Sequence, residues 1–593
     1  MVRFLWLVWH LITHRWTRYV AAWLMVLGIA AHAQYFARHI FDAEGMPQNP
    51  QRRDGNSGHT AIDFGGQWLM GRMLVLGYGH ELYNRRRQYE VAQRAFPYKD
   101  EVPDSPIHDA DEMLSAFMDS DYLSETSDSR ENRDRYTYAT FPTLLMAGNA
   151  FEEIGIKLSA ERWWTPERLA ELKSKHVGGP LYPPIQAFLL APLAQSDTPQ
   201  RSYFIMQWIM LGMAFLAGMG ISVLTRARIW WPMATAMILL FPGFSGGHQL
   251  GQNPAFSLAI LVWGWALMSC GFEVGGGMVW GLFAYKPPWG LAFLLALLVT
   301  RRWRACLGMF GVGCALVLAT LPFVGIETWL DWLKVGDAAN RIYNVDDRWI
   351  PLSRDIINFP KRFLIDLNER PYFGRDRWFA HFGGWLVWVI IVEATVRLTQ
   401  LFPARFRSTT GPAAAFVLLA SWMSCFHFMY YDVLQAALGF LAVLDPPANI
   451  FRRKFVTFQP AGGGKPLDQA AIDWYRPRLA RFHPGLSGAG VGKTWVANSF
   501  LIYLGIALLI IQHTLPWMRL GITATALRFP LRPSYSDGKV VVKDGKTVMR
   551  ARELHIDADW AGIPADTLCM VFLWVWCGIV IIIRRDEKSA DSS

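Results

Sequence analysis

A few side chains able to do acid, base or anion chemistry stand beside apolar runs. Asp63 immediately precedes the stretch FGGQW, where a carboxylate could act as general base toward an acceptor hydroxyl at a membrane surface. Helix capping, which Asp does well, is on spacing alone the simpler reading of Asp63. Lys286 sits in GLFAYKPP, and a lysine in so apolar a segment is costly unless it lines a wet or protein-buried site. His427, with Tyr430, Tyr431 and Asp432, opens a further apolar segment, although a histidine near a helix end is more often structural than catalytic. Tyr182-Pro183-Pro184 and Gly251-Gln252-Asn253-Pro254 each lead into an apolar helix, as Pro and Gly commonly do. A lysine and a histidine facing a carboxylate would suit a substrate with a phosphate leaving group, the cations taking the developing negative charge.

Other patterns mimic function. Ser487 to Thr494 (SGAGVGKT) resembles a phosphate-binding loop, but Ser holds the first glycine position, no strand precedes it and an apolar segment follows closely. Asp109-Ala110-Asp111 and Asp119-Ser120-Asp121 imitate a metal-binding D-x-D, yet they lie in a stretch at 99–136 rich in Asp, Glu and Ser that reads as a solvated, partly disordered insertion. The six cysteines fall in or at the ends of apolar segments without ligand-like spacing, so neither a disulfide framework nor a zinc site is indicated.

The elements that must position these residues follow from composition. With 593 residues, 52% hydrophobic and 18% charged, and a mean hydropathy of +0.17, the chain is too apolar for a soluble enzyme of its length. Its 28 Trp and 19 Tyr suit many lipid–water boundaries. The formal charge of +10 could suggest nucleic acid, but Lys and Arg stand in short groups beside apolar runs and read as topology signals. The expectation is an all-α polytopic membrane protein of about eleven spans. Its segments are 19–38, 202–224, 229–244, 253–272, 305–325, 378–400, 411–426, 428–445, 497–516 and 567–583, plus the stretch 275–300. Ala31-His32-Ala33 resembles a signal-peptidase site, but in a chain already polytopic the first segment reads as a retained signal-anchor.

The positive-inside rule puts Arg15 and Arg18, Arg226 and Arg228, Arg301, Arg302 and Arg304, Arg405 and Arg407, the Arg452 to Lys454 run, and Arg584 and Arg585 in the cytoplasm. Residues 1–18, 446–496 and 584–593 are then cytoplasmic. Residues 39–201, 326–377 and 517–566 are extracytoplasmic loops, and 202–445 and 497–583 hold the remaining spans. Alternation holds only if 275–300 crosses an even number of times, which predicts a broken hairpin rising through 276–285, turning at Lys286-Pro287-Pro288 and descending through 289–300. Residues 64–76 and 185–193 are apolar but short, as expected of interfacial helices. Asp544-Gly545 within KVVVKDGKTVMRA predicts a small hairpin in the last outer loop. Asp63, Lys286, His427 and Asp432 thereby fall at one depth and on one side.

These segments, in this order, resemble the polyprenyl-phosphate-mannose-dependent α-mannosyltransferases of glycosyltransferase family 87, in the GT-C class. The matching pieces are Asp63 with its following small-residue helix, GHELY at 79–83, YPPIQAFLLAPLA at 182–194, GQNP at 251–254, GLFAYKPP at 281–288 and SCFHFMYYD at 424–432. The resemblance implies that Asp63 is the catalytic base, that Lys286 and Tyr182 lie close to the donor phosphate and that His427 stands beside the reacting groups. Gln252, Asn253, Tyr431 and Asp432 are candidate substrate contacts. It further implies a GT-C-like fold, a polyprenyl-phosphate sugar as donor, a glycan, glycolipid or protein acceptor, inversion in one displacement, and no cofactor, nucleotide or obligatory metal. The insertion at 99–136 and the loops 446–496 and 517–566 depart from that pattern and leave donor and acceptor open. Two competing readings are a transporter or lipid-carrier flippase with Lys286 at a mid-membrane site, against which the large first loop and the lack of an internal repeat argue, and a structural envelope subunit in which Asp63 and Lys286 are dispensable.

Overall fold

The structure is a computed structural model. It describes residues 15–39, 63–84, 87–88, 91, 180–196, 199–345, 353–361, 377–444, 534–535, 540–543, 546–549, 554–555 and 564–583. The span 497–516, the loop 446–496, the insertion 99–136 with its D-x-D pairs and the motif at 487–494 lie outside these residues.

The described chain is overwhelmingly helical. In order it forms α1 Arg15–His39, α2 Asp63–Val75, α3 Pro184–Leu190, α4 Pro199–Leu224, α5 Trp231–Leu240, α6 Phe244–Gln249, α7 Pro254–Ser269, α8 Glu273–Gly281, α9 Pro287–Val299, α10 Trp303–Val345, α11 Arg377–Leu401, α12 Gly411–Ser424, α13 Ala437–Val443 and α14 Ala565–Ile583. Proline stands in the first turn of α3, α5, α7, α9 and α12, where its missing N–H is no loss. Among the described residues, three helices are long and apolar enough to cross a membrane, over residues 201–224, 303–336 and 382–401; several shorter apolar helices accompany them. Val540–Lys543 pairs antiparallel with Lys546–Met549, Lys543 opposite Lys546, so the strands flank the two-residue Asp544-Gly545 link. Ser534–Tyr535 pairs with Leu554–His555.

Burial separates inner from outer helices. In α7, Leu258, Leu261, Val262, Trp265, Ala266 and Met268 are buried, and α12 is closed off along nearly its whole length. Helices apolar on every side belong in the middle of a bundle. By contrast α1, α10, α11 and α14 expose large apolar side chains, with Leu307, Phe310 and Leu318 of α10 all more than 60% exposed. Such a surface is stable against lipid tails and not against water. The chain is a helical membrane protein. Helix α10 is two helices joined at Gly325, whose φ of 70° breaks the α geometry just beyond Pro322.

The stretch 273–300 folds back on itself. Helix α8 runs into a 3-10 turn, Leu282–Tyr285, and Lys286 takes a non-helical φ of −141° and ψ of 70° before α9 begins at Pro287. Trp280 on the rising arm packs edge-on against Phe293 on the descending arm, with ring centroids 5.6 Å apart. At the foot, Arg302 Nη1 bonds Glu273 Oε1 at 2.6 Å, joining the two ends of the hairpin. The nine α-helical and four 3-10 residues of the rising arm carry Lys286 about 20 Å from that foot. That reach is shorter than the thickness of a hydrocarbon core, about 30 Å.

Helix α2 differs from a helix lying on lipid. Phe64, Gln67, Trp68, Leu69, Met70 and Met73 are all fully buried, so protein surrounds it. It crosses α3 at backbone contact: a Cβ on Gly71 would stand 2.8 Å from the carbonyl carbon of Leu190.

Candidate active site

The first part of the site is an amide cluster around α2. Gln67, one helical turn after Asp63, donates through Nε2 to Gln252 Oε1 at 3.2 Å and to the Gly251 carbonyl at 3.3 Å. Its Oε1 accepts from Gln186 Nε2 at 2.8 Å and Asn253 Nδ2 at 3.2 Å. The Tyr182 hydroxyl donates to Gln252 Oε1 at 2.7 Å, and the Tyr83 hydroxyl to the Tyr182 carbonyl. The buried amides bond one another because unmet polar groups in an apolar bundle are expensive, although Gln186 Oε1 and Asn253 Oδ1 are left without a hydrogen-bond partner among the described residues. This network ties the start of α2 to the ends of α3 and α7. Gly251 is required at its joint: with φ of +63°, it sits where a Cβ would meet Phe64 and Tyr203 at 2.8 Å.

The second part is the hairpin tip. Lys286 Nζ donates to both oxygens of Asp432, at 2.7 and 2.9 Å, with side-chain exposures of 16% and 4%. The expected phosphate-binding lysine thus has a resident carboxylate partner. Asp432 belongs to the 3-10 segment Tyr430–Ala436, and Gln435 Nε2 reaches Asp432 Oδ1 and the Pro254 carbonyl, each at 3.4 Å. The ring of Tyr431 lies 5.7 Å from Lys286 Nζ, within cation–π range. Because Pro254 follows Asn253, the ion pair and the amide cluster are neighbours along one seam.

The third part was not visible in the sequence. His427 Nδ1 stands 3.6 Å from Asp355 Oδ2, an ion-pair rather than a hydrogen-bond separation. Asp355 is fully enclosed and accepts from the Ser353 hydroxyl, from Asn358 Nδ2 at 2.9 Å and from Asn358 N at 2.7 Å. Burial pushes its carboxyl up, but those hydrogen bonds and the adjacent imidazole outweigh it and hold the group below the usual carboxylate range. Nearby, Lys361 Nζ donates to Asn358 Oδ1 at 2.6 Å, and burial lowers its ammonium pKa to about 8 despite the charge of Asp355. Segment 353–361 is attached beside His427 by the Ser353–Met429 bridge and by Arg354 N donating to the Phe428 carbonyl at 3.0 Å.

The sequence-predicted residues therefore group in three: Tyr182, Gln252 and Asn253 with α2; Lys286, Tyr431 and Asp432; and His427 with a partner of its own. Asp63 is the first residue of α2. Gln67, Gln186, Gln435 and Asp355 had been passed over. Gln67 had a readable signal, since i and i+4 share a helix face. Asp355 had none, being one carboxylate in a long polar segment between apolar runs.

Fold and site together define a helical membrane protein with an ionisable, amide-rich cluster gathered around the helix ends near the Lys286 tip. The family model of glycosyltransferase family 87 matches residues 181–423 of the chain. The match supports glycosyltransferase activity over the transporter and structural-subunit readings. The matched stretch holds Tyr182, Gln252, Asn253, Lys286 and Asp355; Asp63, His427, Tyr431 and Asp432 lie beyond it. No curated protein and no solved structure matches the chain.

Proposed function

We propose that the protein transfers a hexose, mannose by resemblance, from a polyprenyl-phosphate sugar to a hydroxyl of a glycan, glycolipid or protein acceptor on the extracytoplasmic face of a bacterial inner membrane. The observation that carries this reading is the position of the Lys286–Asp432 pair, at a hairpin tip about 20 Å from its foot and bordered by Tyr431 and Gln435. A phosphate presented there keeps its polyprenyl tail in lipid while its sugar faces the polar loops. A soluble nucleotide sugar has no reason to be read at that depth.

In this mechanism Asp63 takes the proton of the acceptor hydroxyl, the acceptor oxygen attacks the anomeric carbon, and the bond from that carbon to the phosphate oxygen breaks with its electron pair on the phosphate. One displacement inverts the anomeric centre. Lys286 and the Tyr182 hydroxyl meet the developing phosphate charge. His427, oriented by Asp355, stands beside the reacting groups, and Gln252, Asn253, Tyr431 and Asp432 line the substrate. The architecture is that of the GT-C class, about eleven spans with both termini cytoplasmic.

The test is transfer from radiolabelled polyprenyl-phosphate mannose to crude membrane acceptors by purified wild type, Asp63→Ala and Asp63→Asn. Wild type transfers, and both folded variants lose roughly 100-fold or more, the usual worth of a positioned base. Equal transfer by all three removes Asp63 as the base.

A further inference from the structure

We propose that Asp432 is a built-in competitor for Lys286 that drives the product phosphate off the site, so that each turnover exchanges two anions on one lysine. The proposal rests on the polyprenyl-phosphate donor reading and adds a release step to it.

The geometry makes the carboxylate the fixed member of the pair. Asp432 sits in a 3-10 turn, is 3% exposed, and is held by Gln435 Nε2 on one carboxylate oxygen and by Trp422 Nε1 on its backbone carbonyl. Lys286 is on a hinge between a 3-10 turn and a proline, with its charge at the end of a flexible four-carbon stem. The lysine can swing to a phosphate; the carboxylate stays in place to receive it back. Both oxygens of Asp432 are on the ammonium at 2.7 and 2.9 Å, so the resting state is a full ion pair rather than a waiting cation.

The charges change during the reaction. The donor phosphate is a diester with one negative charge. Cleavage of the sugar–phosphate bond leaves the electron pair on the phosphate, and the acceptor proton has gone to Asp63, so the product is a monoester carrying close to two negative charges at neutral pH. Coulomb repulsion from Asp432 is proportional to the charge it meets, and in free energy it penalises the product about twice as much as the donor. A lone lysine would do the opposite, holding the product harder than the substrate and stalling turnover at release. The resident carboxylate therefore gives up some donor affinity and removes about twice as much, in free energy, from the product's.

The experiment compares full-length wild type with Asp432→Asn and Asp432→Glu in lipid nanodiscs at low salt. Binding is measured for two probes: a short-chain prenyl monophosphate and the methyl diester of the same prenyl phosphate. Asparagine removes the charge at constant shape. If it tightens the diester about threefold, it tightens the monophosphate by about the square of that factor, roughly tenfold. Inhibition of transfer by added polyprenyl phosphate tightens in parallel, and kcat falls. Glutamate keeps the charge and keeps the wild-type ratio of the two affinities. Should the asparagine variant not fold, Asp432→Ser is read in its place. Equal tightening of both probes, or equal loss of both, overturns the exchange. Wild type that binds neither probe and transfers from no polyprenyl-phosphate sugar sinks the donor reading instead.

Discussion

At the scale of the residue, the least anticipated finding is that each candidate cation keeps a carboxylate close by: Lys286 has Asp432 and His427 has Asp355. We read Asp355 as an orienting group, and Asp355→Asn should test it: the amide nearly keeps the shape and loses the charge that faces His427, at the cost of one of the hydrogen bonds from Ser353 or Asn358, since both carboxylate oxygens accept. We expect kcat to fall roughly 10- to 100-fold with donor KM little changed, the pattern of an interaction made mainly in the transition state. Asp355→Ala, which also empties the loop's hydrogen-bond hub, should lower stability as well, and thermal unfolding separates the two. The sign of the pH effect follows from the folded carboxyl lying below its ordinary value of 3.8. Its stabilisation of the 353–361 loop is present above that unfolded value and is lost as pH falls through the folded one. Titration of wild type and Asp355→Asn from neutral pH downward should therefore show the wild-type advantage vanishing only below about pH 4.

At the scale of the element, α2 is the piece that brings Asp63 to the bundle, and its docking depends on a crossing with no room for a side chain. A Cβ on Gly71 would meet three backbone atoms of Leu190 and Ala191 at 2.8 to 3.0 Å, and no rotamer change relieves backbone. Gly71→Ala should cost about 1–3 kcal/mol through overpacking and should reduce transfer more than its stability loss explains, because it displaces the helix that begins at Asp63. Gly28→Ala in α1 is the control: nothing lies within 4 Å of the added carbon, and α1 should gain up to about 1 kcal/mol of helix propensity. Melting temperature and transfer rate, measured on both, decide it. Much at this scale was legible in the sequence. The charge pattern called for an even number of crossings, of which a hairpin broken at Pro287 and Pro288 is the simplest, and two helices, α8 and α9, stand on either side of Lys286. The enclosure of α2 was not legible, since an apolar stretch of thirteen residues looks the same whether its neighbour is lipid or protein.

At the scale of the whole molecule, the C-terminal helix clasps the site from outside the family-matched region. Arg354 Nε bonds Asp566 Oδ2 at 3.1 Å with both side chains under 4% exposed, and Thr567 Oγ1 donates to the Arg354 carbonyl at 3.1 Å, so the first turn of α14 holds the loop that carries Asp355. Asp566→Ala takes the carboxylate from a buried guanidinium that still bonds the Ser353 carbonyl and should cost up to about 3–5 kcal/mol, whereas Arg354→Met with Asp566→Leu should come close to wild-type stability. Thermal unfolding of the single and double variants in detergent is the measurement, and a single variant as stable as wild type would remove the clasp. The sequence by itself determined the membrane class, the order of most of the described helices, the break at Lys286 and the segments that supply polar groups, because hydropathy, proline and the satisfaction of backbone hydrogen bonds act locally along the chain. Only the tertiary structure decided the partners: Lys286 with Asp432, His427 with Asp355, Gln67 with Gln186, Gln252 and Asn253. Those pairs are set by which helix ends meet, and that depends on side-chain packing between segments far apart in the chain, a property no local pattern encodes.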